Sequence, residues 1–180
     1  MAKSDLKRVL LDSSALIAWI RGEPAAQRIA GLIEMIDRDE ALLVESVIVL
    51  AEVYKRSTAP DEAERIRQDG TLDRIRAKLE SRDVMLLDVT PPVARKVTEL
   101  RRAHKLKLPD ATHLATALLN KCDWLVTLDS DFPQLDGLRV FRMELLDASA
   151  SLPWDVPVQA ELFDVPGNVI SLPVRTPGEI

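Results

Sequence analysis

Four carboxylates stand where a metal-assisted reaction would need them. Asp12 ends the apolar run Arg8-Val-Leu-Leu-Asp12, and Glu52 interrupts the apolar stretch Val47-Ile-Val-Leu-Ala-Glu52-Val-Tyr54. Asp110 follows Leu108-Pro109, while Asp129 closes Val126-Thr-Leu-Asp129 with Asp131 just beyond it. Gathered in one pocket, such groups repel one another and hold on to protons. A divalent cation removes that conflict, and a set of carboxylate oxygens suits Mg2+ or Mn2+ rather than zinc. The histidines His104 and His113 and the single cysteine Cys122 have no zinc-site spacing. A cation so held can stabilise a phosphodiester in flight and acidify a water, so the expected chemistry is hydrolysis without a covalent intermediate. Ser13 and Thr127 are placed to hydrogen-bond the ligands or a water.

Each carboxylate also has a plainer reading. Asp12 and Asp110 precede helical patterns and would serve as N-caps. Asp129 and Asp131, beside Ser130 and Pro133, would serve in a turn. Glu52 is harder to explain away, because its neighbours form no wide polar face. His113 lies three residues after Asp110 on the same helix face, where a packed or rim histidine is the plainer expectation. Other chemistries have less support: GxGxxG, GxxxxGK[ST] and GxSxG are all missing, and Ser13 and Ser14 have no evident base.

The elements that would position these groups are legible as short aliphatic runs alternating with helical stretches. Strands are expected at 8–12, 41–45, 84–88, 124–128 and, more weakly, 138–141. Helices are expected at 14–19, 24–36, 47–56 with Ser46 as cap, 61–82 with a break at Gly70, 90–104 and 110–120. This alternation predicts an α/β domain with a mainly parallel sheet. In such sheets ligands sit beyond the carboxyl ends of the strands, near the point where strand order reverses.

The 180 residues suit one domain, 1–147, followed by an extension. Residues 148–180 hold Pro153, Pro157, Pro166, Pro173 and Pro177, and their charges are Arg175 against Asp155, Glu161, Asp164 and Glu179. Proline on that scale forbids a long helix. Trp154, Phe163 and Ile170 nevertheless make the segment apolar enough for an arm packed on the domain or a partner, with a frayed tail as the alternative. With 47% hydrophobic and only 4% aromatic residues, the core must be aliphatic. One cysteine and no long apolar run predict a cytoplasmic protein without membrane attachment. A net charge of −5 argues against a simple nucleic-acid clamp. Arg101, Arg102, His104, Lys105 and Lys107 still form a local basic cluster, from which Arg101 and Lys105 are candidates for holding phosphates.

The segments LLDSSALIAW at 10–19, VIVLAEVYK at 47–55, LKLPDATHLATAL at 106–118 and LVTLDSDF at 125–132 resemble, in this order, the PIN-domain family. Within it they look like the VapC-type toxins of bacterial toxin–antitoxin pairs. The resemblance implies a three-layer α/β/α sandwich, Mg2+/Mn2+-dependent endoribonuclease activity, a homodimer and a small antitoxin partner. It matches Asp12, Glu52 and Asp110 to the first three acidic positions, and the fourth to Asp129 or, second, Asp131. Ser13 matches a position commonly held by a small hydroxyl residue. The Pro-rich extension and the negative net charge are departures. Single-stranded RNA is the expected substrate, since its phosphates and bases thread more easily past a recessed metal. Two rivals remain: a PIN-like docking protein that has lost turnover, and a phosphatase or phosphoacceptor domain. The latter would need a second acid or a lysine that the Ser-Ser-Ala after Asp12 does not provide.

Overall fold

The computed structural model describes residues 6–53, 60–146 and 150–155. Five short strands form its centre: β1 (Lys7–Leu11), β2 (Ala41–Ser46), β3 (Val84–Leu87), β4 (Trp124–Thr127) and β5 (Arg139–Arg142). They pair in the order β3-β2-β1-β4-β5, and every pairing is parallel. Parallel neighbours require crossovers, which the helices supply: α1 (Ser13–Arg21), α2 (Ala30–Asp37), α3 (Ile48–Val53), α4 (Glu62–Leu79), α5 (Pro91–His104) and α6 (Leu108–Leu119).

Strand alternation divides the core into two layers, because successive side chains point to opposite faces. Val9, Leu11 and Leu43 pack with residues of α1, α2, α3 and α4, while Leu10, Val44, Leu125 and Val140 pack with α5 and α6. The result is an α/β/α sandwich. The chain runs outward through β1, β2 and β3, then returns to place β4 on the other side of β1. The order reverses between β1 and β4, and Asp12 and Asp129 follow those two strands. The Asp12 N–H donates to the Val126 carbonyl (3.0 Å), carrying the β1–β4 pairing one residue past the strand.

Three expected boundaries differ. The stretch 24–36 is a 3-10 helix (Pro24–Ile29) followed by α2, with the junction at Ile29 turning that side chain into the core. α4 runs unbroken through Gly70, because glycine lowers helix stability without removing a ladder hydrogen bond. α6 begins at Leu108, two residues before Asp110. The last part of the expected 47–56 helix lies outside the described residues.

Of the extension, 150–155 is described. Trp154 is buried, its ring centroid 5.5 Å from that of Trp124 and 4.8 Å from that of Phe141. Its Nε1–H donates to the Arg28 carbonyl (2.8 Å), and the Arg28 guanidinium donates to the Ala150 carbonyl (3.0 Å). This segment therefore packs on the 3-10 helix and the start of α2, and on the face of β4 and β5.

Candidate functional site

Asp12 caps α1, and the same carboxylate stitches together the ends of β1 and β4. Its Oδ1 accepts from Ser14 Oγ (2.7 Å) and the Ala15 N–H (2.9 Å), and its Oδ2 accepts from Thr127 Oγ1 (2.6 Å). Thr127 Oγ1 in turn accepts the Asp129 N–H (2.8 Å), and Ser14 Oγ accepts the Leu128 N–H (3.1 Å). The N-cap reading of Asp12 is thus correct and incomplete. Only 4% exposed, its carboxyl is held above the usual aspartate range by burial, which these hydrogen bonds and His113 partly offset. The hydroxyl on Asp12 from α1 is that of Ser14, one residue beyond Ser13.

Asp110 is not a cap. Lys107 occupies the N-cap position of α6, Pro109 suits the first turn, and Asp110 sits half-buried beside the site. Burial raises its carboxyl first, and the charges of Asp129, Glu52 and Asp12 raise it further, against an opposing contribution from Lys107. One short helix of sequence thus feels acids from β1, α3 and the loop after β4. Asp129 is half-buried, and its Oδ1 accepts the Asp131 N–H (2.8 Å); Asp131 itself is exposed.

Glu52 arrives on α3, which packs against α6. Its Oε2 lies 2.7 Å from His113 Nε2, with the imidazole 1% and the glutamate side chain 22% exposed. Of the two plain expectations for His113, packed and not rim is the one met, and its partner is Glu52.

Glu45 was not legible as a member of this group. It is fully buried on β2, and its Oε1 accepts the Leu11 N–H (3.2 Å) beside Asp12. Burial pushes its carboxyl well above the usual glutamate range, with the charges of Asp12 and Glu52 adding to the shift. The available signal was a charged residue at an inner position of the otherwise apolar strand Ala41-Leu-Leu-Val-Glu45. Cys122 is buried, and its thiol is pushed up to about 12 chiefly by burial, so it is no nucleophile at neutral pH.

The donor set fits a hard divalent cation: oxygen ligands only, with Asp12 held up by burial and Asp110 by burial and the charges of Asp129, Glu52 and Asp12, so positive charge would relieve them. As they stand, no three His, Cys, Asp or Glu side chains among the described residues close around a single point. Water and small side-chain movements would complete the cage, as Mg2+ commonly requires. Arg101, Arg102, His104, Lys105 and Lys107 are exposed around the α5–α6 corner, where Lys105 adopts the left-handed conformation (φ 58°) that ends α5. No helix among the described residues is long and apolar enough to cross a membrane.

The PIN-domain family model matches residues 9–138, and the chain belongs to that family. PIN domains are generally nucleases that use a divalent metal. No curated protein matches. Among solved structures, a chain of a toxin–antitoxin complex from Klebsiella pneumoniae is 25% identical, with a TM-score of 0.53 over 72% of this chain and 94% of that one. VapBC2 from Rickettsia felis, bound to a DNA fragment from its promoter, gives 19% identity and a TM-score of 0.56 over 74% and 96%. FitAcB from Neisseria gonorrhoeae gives 21% and 0.56 over 77% and 99%. The first of these agrees with the toxin–antitoxin resemblance of the four segments, and the other two share the fold.

Proposed function

We propose that this chain is the toxin of a toxin–antitoxin pair, an endoribonuclease requiring Mg2+ or Mn2+. The observation that carries the reading is the placement of Asp12 and Asp129 just past β1 and β4, where strand order reverses, with Asp110 close enough that the charges of Asp129, Glu52 and Asp12 add to the effect of burial on its carboxyl. Acids drawn from separate elements toward the reversal point of a parallel sheet support a cation site over a set of unrelated caps. Asp12, Glu52, Asp110 and Asp129 would hold it, directly or through water, with Asp131 the weaker candidate because of its exposure. When bound, the cation supplies charge neutralisation at the phosphodiester and a more acidic water.

The chain's own residues do the rest. Thr127 and Ser14 fix the Asp12 carboxylate through both oxygens. Arg101 and Lys105 would take phosphates flanking the cut, aligning a single-stranded RNA along the α5–α6 corner. The toxin–antitoxin setting of the solved neighbours supports a small antitoxin as partner, and the family resemblance supports a homodimer. A substrate of RNA would be met in the cytoplasm, which is the compartment that goes with this reading.

The test is cleavage of a single-stranded RNA oligonucleotide in Mn2+ and in EDTA by the native protein, D12N and D110N. Cleavage should need Mn2+ and fall in both variants by more than the roughly 10–100-fold that supporting partners of metal ligands cost. Equal cleavage by all three would overturn the reading. Manganese binding without any turnover would favour the docking alternative.

A further inference from the structure

We propose that His113 is a positioning residue for Glu52, holding its carboxylate in the orientation that a shared cation requires; this rests on the metal-nuclease reading. His113 and Asp110 lie one turn apart on α6, so the helix that carries one acid of the site also carries the partner of another. The contact joins two separate helices: Glu52 Oε2 and His113 Nε2 are 2.7 Å apart across the α3–α6 packing. His113 Nδ1 is buried with no hydrogen-bond partner among the described residues. A proton there would be shut away from any acceptor, so the proton belongs on Nε2, where it is donated to the glutamate.

That bond commits Oε2 and leaves Oε1 for the cation. Without it, Glu52 is a side chain of three torsions at the edge of an apolar helix, ordered only when metal arrives. A carboxylate ligand tied from behind by a buried donor is how metal sites fix ligand direction, and loss of such a partner typically weakens metal binding about 10–100-fold. The plain alternative is a buried histidine that needs some acceptor and finds Glu52, in which case its loss would alter stability and leave metal affinity alone.

Titration calorimetry with MnCl2, on the full chain, separates the two. H113Q places an amide N–H near the position of Nε2, H113N is too short to reach, and H113L has no donor. Thermal unfolding in EDTA establishes that each variant is folded at the titration temperature; H113N carries the comparison should H113L fail to fold. H113L and H113N should bind Mn2+ about 10–100-fold more weakly than the native protein, with H113Q recovering most of the loss. In cleavage assays the Mn2+ concentration for half-maximal rate should rise correspondingly, more than the saturating rate falls. Native affinity in H113L and H113N overturns the positioning role while the metal reading stands. A native protein indifferent to manganese overturns the metal reading, and the positioning role with it.

Discussion

Substituting Gly31 with alanine should destabilise the protein, although alanine is the better helix former. Gly31 lies in the first turn of α2, and an added Cβ would sit 2.6 Å from the Trp154 carbonyl oxygen and 3.4 Å from Trp154 Cδ1. The helix itself gains about 0.5–1 kcal/mol from the change. Against this, the contact is with backbone, which cannot rotate away as a side-chain tip would. Forcing material into a packed site typically costs about 1–3 kcal/mol. The cost is capped by the alternative of releasing residues 150–155, which surrenders a buried tryptophan worth roughly 3–5 kcal/mol by truncation. With the backbone contact setting the cost toward the upper end of the overpacking range, the net loss should be about 1–2.5 kcal/mol, a fall of roughly 2–10 °C in Tm for a chain of this size. Circular dichroism gives the Tm, and tryptophan fluorescence reports whether Trp154 has left its place between Trp124 and Phe141. In a chain ending at Ser149 the obstacle is gone, and G31A should turn mildly stabilising, by about 0.5–1 kcal/mol. A higher Tm for G31A in the full chain, or the same effect in both backgrounds, would refute the close approach of Trp154 to α2.

Two further outcomes concern the site. T127V removes the hydroxyl that donates to Asp12 Oδ2 and accepts from the Asp129 amide, so Mn2+ affinity by calorimetry should drop about 10–100-fold and stability by roughly 1–3 kcal/mol; unchanged affinity would show that the hydroxyl does not orient the ligand. The metal-free protein should lose stability as pH rises. The buried Glu45 holds its proton in the fold after the unfolded chain, with a value near 4.5, has released it, so each step above that value favours unfolding until the folded carboxyl also ionises. Asp12 and Asp110 act in the same direction from 3.8 upward, whereas Asp123, held low mainly by Lys7 and the Arg8 amide against its burial, adds stability that is lost only below 3.8. Thermal melts in EDTA between about pH 5 and 8 should show the decline, E45Q should flatten it, and Mn2+ should oppose it. A flat native profile would contradict the burial of Glu45.

The strands and their alternation with helices were readable because each run has a period that one face of a sheet or helix must satisfy. Boundaries set by tertiary contact were not. Nothing local in 24–36 says that the chain must turn at Ile29, since Trp154, which meets α2 there, lies far along the sequence. Asp110 reads as a cap because Pro-Asp opens many helices; only the structure shows that Lys107 fills that position. Within the site, spacing could show that Asp110 and His113 share a face, but not that Glu52 would meet His113 from another helix. Glu45 was hidden for a related reason. A single carboxylate near the end of an apolar strand looks like the strand's exit to solvent, until the Leu11 amide beside it shows that the strand end is covered.

The hydroxyl clasp around Asp12 has a practical bearing on how this protein is silenced. One side chain both would grip the cation and ties the loop after β4 to the start of α1, so neutralising it would disturb the seam between two strands together with the chemistry. Asp110 makes no described hydrogen bond through its carboxylate. An inert form that preserves the native surface, for testing the proposed RNA substrate and antitoxin, is therefore better made at Asp110 than at Asp12.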